Sequence, residues 1–152
     1  MYARILLCYD GSREGRLALR EGARLAQITG AKVTLLAVVE TGSANAFAMG
    51  ADTVALGQQQ SDLDQILEEG RQRLTGMGLS PQVQLASGDP VETITRVSVE
   101  TEADLVVVGH HRHSVWTRWL SRSIAAELGD SLGCSLLLAQ KVVDDSELFQ
   151  GR

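Results

Sequence analysis

The sequence predicts an α/β fold, a parallel sheet with helices on both faces. Three observations carry that prediction. Short, nearly all-apolar runs recur along the chain, as strands covered on both faces require. Stretches with a helical apolar period separate them, with capping residues at several of their starts. The order is strand then helix, repeated, and it closes on a strand, which is the pattern of a parallel sheet.

The elements follow in order. Residues 5–9 (Ile-Leu-Leu-Cys-Tyr) read as a first buried strand. Asp10-Gly11-Ser12 breaks it, and Ser12 is placed to cap a helix. Leu17, Ala18, Gly22, Leu25 and Ala26 then carry a helical period, and Gly30 is a natural stop. Residues 31–39, rich in valine and leucine, predict the second strand. Residues 41–60 are rich in Gly, Ala, Ser and Gln and show no clear period, so they read as a long mobile loop with a short helical piece. Ser61 is expected to open a helix through Leu63, Ile66, Leu67 and Leu74, ended by Gly76 and Gly78. Residues 82–86 alternate polar and apolar, the pattern of an edge strand. Asp89 caps and Pro90 starts a third helix, with Val91, Ile94, Val97 and Ser98 inward. Residues 104–109 form the most buried-looking strand. Leu120, Ile124, Leu128 and Leu132, four apart, predict the last helix. Gly133 ends it, and residues 134–139 form the last strand. Residues 1–141 thus make one domain, and 142–152 a polar tail.

At 152 residues the chain suits one domain able to bury a core without disulfide or metal. Apolar residues are 44% and charged residues 22%, ordinary for a soluble protein. The formal net charge of −5 argues against general nucleic-acid binding. Cys8 and Cys134 each sit in an apolar run and read as reduced buried thiols. With no signal-like opening and no apolar stretch of roughly 20 residues, a cytoplasmic protein off the membrane is expected.

In such sheets ligands bind beyond the carboxyl ends of the strands, where the chain order reverses. The loops at Asp10, at residues 39–50 and at residues 109–123 all leave carboxyl ends. The last reads G-H-H-R-H-S-V-W-T-R-W-L-S-R-S and holds all three histidines and both tryptophans, with no acid. His110, His111 and His113 suggest a metal site, but neighbouring residues on one loop rarely converge on one ion, so a solvated loop is expected and no metal. Trp116 and Trp119 read as an anchor of the loop, or as a stacking surface for a base or a partner. Catalysis finds little support: there is no nucleophile-elbow pattern and no P-loop Gly-Lys-Ser/Thr.

Four pieces, in order over about residues 3–140, give the chain its resemblance to the universal stress protein family. They are I-L-L-C-Y-D-G-S, L-L-A-V-V-E, G-D-P-V-E-T-I-T with A-D-L-V-V-V-G, and the Gly109 loop feeding R-S-I-A-A-E-L. The resemblance implies a five-stranded parallel sheet in an open α/β sandwich, Rossmann-like and adenine nucleotide alpha hydrolase-like. It implies homodimers paired through the last strand, Ser135–Ala139, a role in stress response or signalling with unknown protein partners, and ATP or another adenine nucleotide as ligand, with Mg²⁺. The nucleotide-binding residues it implies are Asp10, Val38 (through its backbone), Gly109, Arg112, Ser114, Arg122 and Ser123.

Many members of the family bind ATP, and their signature after the fourth strand is Gly, two residues, Gly, nine residues, then Gly and Ser or Thr. Gly109 and Ser123 fit it, while Arg112 and Arg122 replace the other two glycines. Glycine lets backbone amides approach an anion and tolerates positive φ. Arginine opposes that geometry, yet brings charge and a fork of donors suited to phosphate. Two readings stay open: a nucleotide-binding module, and a member with a closed cleft that acts through dimerisation and protein partners. An enzyme, at most a slow ATPase, is the third.

Overall fold

The computed structural model describes residues 1–40, 53–109 and 122–140. They form five strands and four helices in strict alternation. In chain order these are β1 (Arg4–Cys8), α1 (Arg13–Thr29), β2 (Lys32–Glu40), α2 (Thr53–Gly76), β3 (Gln82–Gly88), α3 (Pro90–Glu100), β4 (Leu105–Gly109), α4 (Arg122–Ser131) and β5 (Ser135–Ala139). All neighbouring strands pair in parallel, in the order β3-β2-β1-β4-β5. The expected α/β class and five-stranded parallel sheet are what the chain adopts.

Burial explains the apolar runs. β1 and β4 lie inside the sheet, and Ile5 through Cys8 and Leu105 through Gly109 are buried. Their side chains point alternately to two cores. One holds Ile5, Leu7, Tyr9, Leu35 and Val107 with Ala18, Ala23 and Ala26 of α1 and Leu63, Leu67 and Leu74 of α2. The other holds Leu6, Cys8, Leu36, Val38, Val106 and Val108 with Ile94 and Val97 of α3 and Leu128 of α4. Helices α1 and α2 thus cover one face, and α3 and α4 the other. β3 is an edge strand, as its alternation predicts, and Val83 on it is exposed. β5 is the other edge, and its leucines are only half-buried.

Local signals set the helix ends. Ser12 caps α1, its side chain accepting from the Gly15 amide, and Gly30 closes that helix in the left-handed region at φ 70°. Asp89 caps α3 by accepting from the Glu92 amide, with Pro90 in the first turn. Each such cap contributes about 1 kcal/mol.

One expectation is corrected. Helix α2 begins at Thr53, not at Ser61, so the helical piece expected within residues 41–60 is residues 53–60, continuous with the helix that follows. The reason is exposure. Gly57, Gln58 and Gln60 face solvent, so no apolar period marks these turns. Local pairs such as Gln58 Nε2 donating to Asp62 Oδ1 at 3.0 Å belong to this exposed surface instead. The rest of the loop expected over residues 41–60 lies outside the described residues, as does the polar tail.

A long-range clamp also went unread in the sequence. Asp104, just before β4, accepts from the Ala3 amide at 2.7 Å and from the Arg4 amide at 3.0 Å. Its own amide donates to the Arg4 carbonyl and its carbonyl accepts from the Ser135 amide. One residue thus ties the amino ends of β1, β4 and β5 together.

Candidate functional site

The strand order reverses between β1 and β4, since the chain first builds outward to β3 and then returns to the other side. A crevice opens beyond the carboxyl ends of strands at such a point. Asp10 follows β1 and Gly109 ends β4, so the two stand at the carboxyl ends of the strands on either side of that reversal. Gly109 is buried and pairs in register with Ala139.

Val38 enters from β2. Its side chain is fully buried among Cys8, Leu36 and Val108, so it offers a ligand no side-chain contact. Its main chain differs. The final bond from β1 runs from the Tyr9 amide to the Leu36 carbonyl at 2.8 Å. Alternate residues of a strand turn their amide and carbonyl to the same side, so Val38 turns its own toward the space past Tyr9, beside Asp10.

Asp10 is held by the loop it belongs to. Its Oδ1 accepts from the Ser12 amide at 2.9 Å and from the Ser12 hydroxyl. The same hydroxyl oxygen accepts from the Gly15 amide at 2.9 Å. Ser12 therefore caps α1 and anchors Asp10 at once, which leaves Oδ2 as the Asp10 oxygen with no partner among the described residues. Gly15, which drew no notice in the sequence, is required here. A Cβ on it would fall 2.4 Å from Asp10 Oδ1.

Two buried groups sit below this edge. The Cys8 thiol is pushed up to about 12 by burial, with the Asp10 charge as a smaller cause. It is therefore a neutral packing group and not a nucleophile. The Tyr9 hydroxyl is buried without a hydrogen-bond partner among the described residues. Burial raises its pKa, while the neighbouring Arg16 guanidinium, which stops short of a hydrogen bond, pulls it down. Both cysteines are free thiols, but Cys134 is only half-buried because it leads into an edge strand.

Of the remaining implied site residues, Arg122 and Ser123 occupy the first turn of α4, which packs on the α3 face. Amides of a helix's first turn lack intrahelical partners and suit an anion. Arg112 and Ser114 lie outside the described residues, as do the three histidines and both tryptophans. Among the described residues no three His, Cys, Asp or Glu side chains gather in a metal-ligating group. Also among them, no helix is long and apolar enough to cross a membrane.

Comparison with known proteins agrees with this architecture. A sequence model of the universal stress protein family matches residues 1–140. A universal stress protein A homolog from Haemophilus ducreyi is 27% identical over 126 residues, which is 80% of this chain and 85% of that protein. Two solved structures share the fold. A universal stress protein in complex with cAMP superposes with a TM-score of 0.69 at 20% identity, covering 93% of this chain and 99% of the other. The universal stress protein from Archaeoglobus fulgidus in complex with dAMP gives 0.70 at 16% identity, covering 91% and 98%. With its sheet order, its capped Asp10 loop and a family match running from the first residue to the end of β5, this chain belongs to the universal stress protein family.

Proposed function

We propose that this protein is a stress-response or signalling module that binds an adenine nucleotide at the carboxyl edge of its sheet. The observation that carries the reading is the convergence at the switch point of Asp10, the Val38 main chain and Gly109. In this reading Asp10 Oδ2 accepts from ribose hydroxyls and Val38 main-chain groups hold the base. Gly109 and Ser114, with the start of α4 at Arg122 and Ser123, meet the phosphates, and Arg112 adds charge. That two relatives of the same fold are complexes with cAMP and dAMP supports an adenine ligand. ATP with Mg²⁺ is the ligand that the family resemblance implies. The protein acts without catalysis, in the cytoplasm, as a homodimer. β5 supports that dimer, since an edge strand presents unpaired amide and carbonyl groups.

Calorimetric titration of ATP, with and without Mg²⁺, and of cAMP and AMP tests the ligand. Saturable binding that is lost in Asp10→Ala is expected. A flat titration with every nucleotide would overturn it and favour the second reading. That reading is a member acting through dimerisation and protein partners, its cleft closed by Arg112 and Arg122. A specific observation supports it: Arg122 stands at the first residue of α4, where the signature of the family's ATP binders has glycine. If so, Arg112→Gly with Arg122→Gly together creates binding. Sedimentation showing a monomer at tens of micromolar would end the dimer proposal.

A further inference from the structure

The sheet has a second end, opposite to the Asp10 edge, where its strands begin. Lys32 and Thr34 precede Leu36 and Val38 at alternate positions of β2, so all four side chains stand on the α3–α4 face. Arg4 pairs in register with Lys32, and Gln82 with Thr34, which puts them on that face too. Helix α3 covers the face through Ile94 and Val97 but stops at Glu100. Past its end the sheet is floored by polar side chains instead of apolar ones. A pocket of about 520 Å³ opens there, with Arg4, Lys32, Thr34, Gln82, Glu100 and Glu102 in its lining. That volume lies in the range of small-molecule sites.

Two features ask for more than solvent on a polar surface. Arg4 and Lys32 are like charges side by side on neighbouring strands, which is destabilising. Arg4 is answered by Glu102 at 3.1 Å, and Glu100 is taken by Arg96 at 2.7 Å. The Lys32 ammonium has no counter-charge among the described residues, and the Thr34 and Gln82 side chains have no hydrogen-bond partner among them. The second feature is Glu102 itself. At φ 50° it is the one non-glycine in the left-handed region among the described residues. It follows the cap Thr101, at the place where helices commonly end on glycine. A side chain there strains the backbone. Its ion pair with Arg4 is exposed on both sides and offsets little of that cost. What the strain secures is a carboxylate at the pocket wall.

We propose that this pocket binds a small zwitterion of the amino-acid class, free or as a short peptide. Lys32, with Arg4 beside it, takes the carboxylate, and Thr34 and Gln82 supply hydrogen bonds on the floor. The ammonium lies toward Glu102 and the carboxyl end of α3, whose dipole favours a cation. The same acids repel polyanions, so this end of the sheet differs in chemistry from the nucleotide reading at the other.

The test follows the amides of Lys32, Thr34, Gln82 and Glu102 in ¹⁵N spectra of the full chain. The probes are a pool of the common amino acids, glycylglycine, acetate and ATP, each at millimolar concentration. Saturable shifts of these amides with the pool or with glycylglycine are expected. Response to the pool alone marks a free amino acid, and response to glycylglycine marks a peptide. Lys32→Gln and Glu102→Gly should each weaken binding roughly tenfold or more. Glu102→Gly should also raise the urea midpoint, because glycine relieves the left-handed position. No shift with either zwitterion overturns the proposal. Acetate or ATP binding as tightly as the zwitterions makes this a plain anion site and overturns the ligand class. A lower midpoint in Glu102→Gly shows that Glu102 serves folding and overturns the argument from strain.

Discussion

Replacing Gly22 by alanine measures how closely α1 lies on the sheet. An added Cβ would stand 2.1 Å from Leu7 Cδ2 and 3.4 Å from Leu7 Cγ. Carbon atoms settle at roughly 3.5–4.0 Å, so the helix or the leucine must yield by more than about 1 Å. Leu7 is 1% exposed and packed inside the α1–α2 core, which leaves its methyl little free volume. Overpacking of this kind costs about 1–3 kcal/mol. Helix propensity works the other way, favouring alanine over glycine by up to about 1 kcal/mol. The net expectation is a loss of about 1–2 kcal/mol. Gly129 in α4 is the control, since an added Cβ there meets nothing within 4 Å. Gly129→Ala should gain about 0.5–1 kcal/mol from propensity alone. Urea unfolding of both variants at one fixed protein concentration reads the difference, with unchanged slopes showing that only stability moved. If Gly22→Ala matches Gly129→Ala in sign, the close approach is not what selects glycine and the reasoning fails. Shortening the neighbour, as in Leu7→Val with Gly22→Ala, should cost less than the two single changes added together.

The remaining expectations concern the thiols and the amino-edge clamp. In native protein at pH 8, a thiol reagent should label Cys134 well before Cys8, because burial holds the Cys8 thiol protonated. Equal labelling rates would contradict the buried position. The Cys8 shift also makes stability fall in alkali. The folded pKa of about 12 lies above the unfolded value of 9.0, so the stabilisation is complete below pH 9 and drains away as pH rises toward 12. Cys8→Ala should flatten that part of a stability–pH profile, and an unaltered slope would show that another group is responsible. Asp104→Ala removes the acceptors of the Ala3 and Arg4 amides and should cost about 1–2 kcal/mol, with faster exchange of those two amides. Asp104→Asn, which keeps one acceptor oxygen, should cost less, and a neutral Asp104→Ala would mean that water serves these exposed amides equally well.

What could be read in the sequence was whatever burial writes into local order. Leu105–Gly109 is a central strand covered on both faces, so it is apolar throughout and unmistakable. Ser12, Gly30, Asp89 and Pro90 act within a few residues of themselves, and their types announce their roles. The first turns of α2 were missed because Gly57, Gln58 and Gln60 face water and have no period to show. Gly15 and Gly22 were missed as requirements for a different reason. What forbids a side chain there is Asp10 in one case and Leu7 in the other, and only the folded chain brings them close. The Asp104 clamp spans about a hundred positions, so no window of sequence contains both ends. At the site, Asp10 was legible as a turn residue beyond a strand, but the sharing of its Oδ1 between two Ser12 donors was not.

That sharing bears on how the edge could work. A carboxylate waiting in solvent for a ligand loses rotamer freedom when it binds, and that cost weakens the complex. Here Ser12 fixes Oδ1 through its amide and hydroxyl before any ligand arrives, and the same hydroxyl is committed to the Gly15 amide at the start of α1. The orientation of Asp10 is thereby coupled to the first turn of a helix whose face packs on the core. Gly15 is the condition for this geometry, because any side chain there would push into Oδ1. The short stretch from Asp10 to Gly15 is thus one unit. It ends a strand, starts a helix and presents a single carboxylate oxygen at the point where the sheet order reverses.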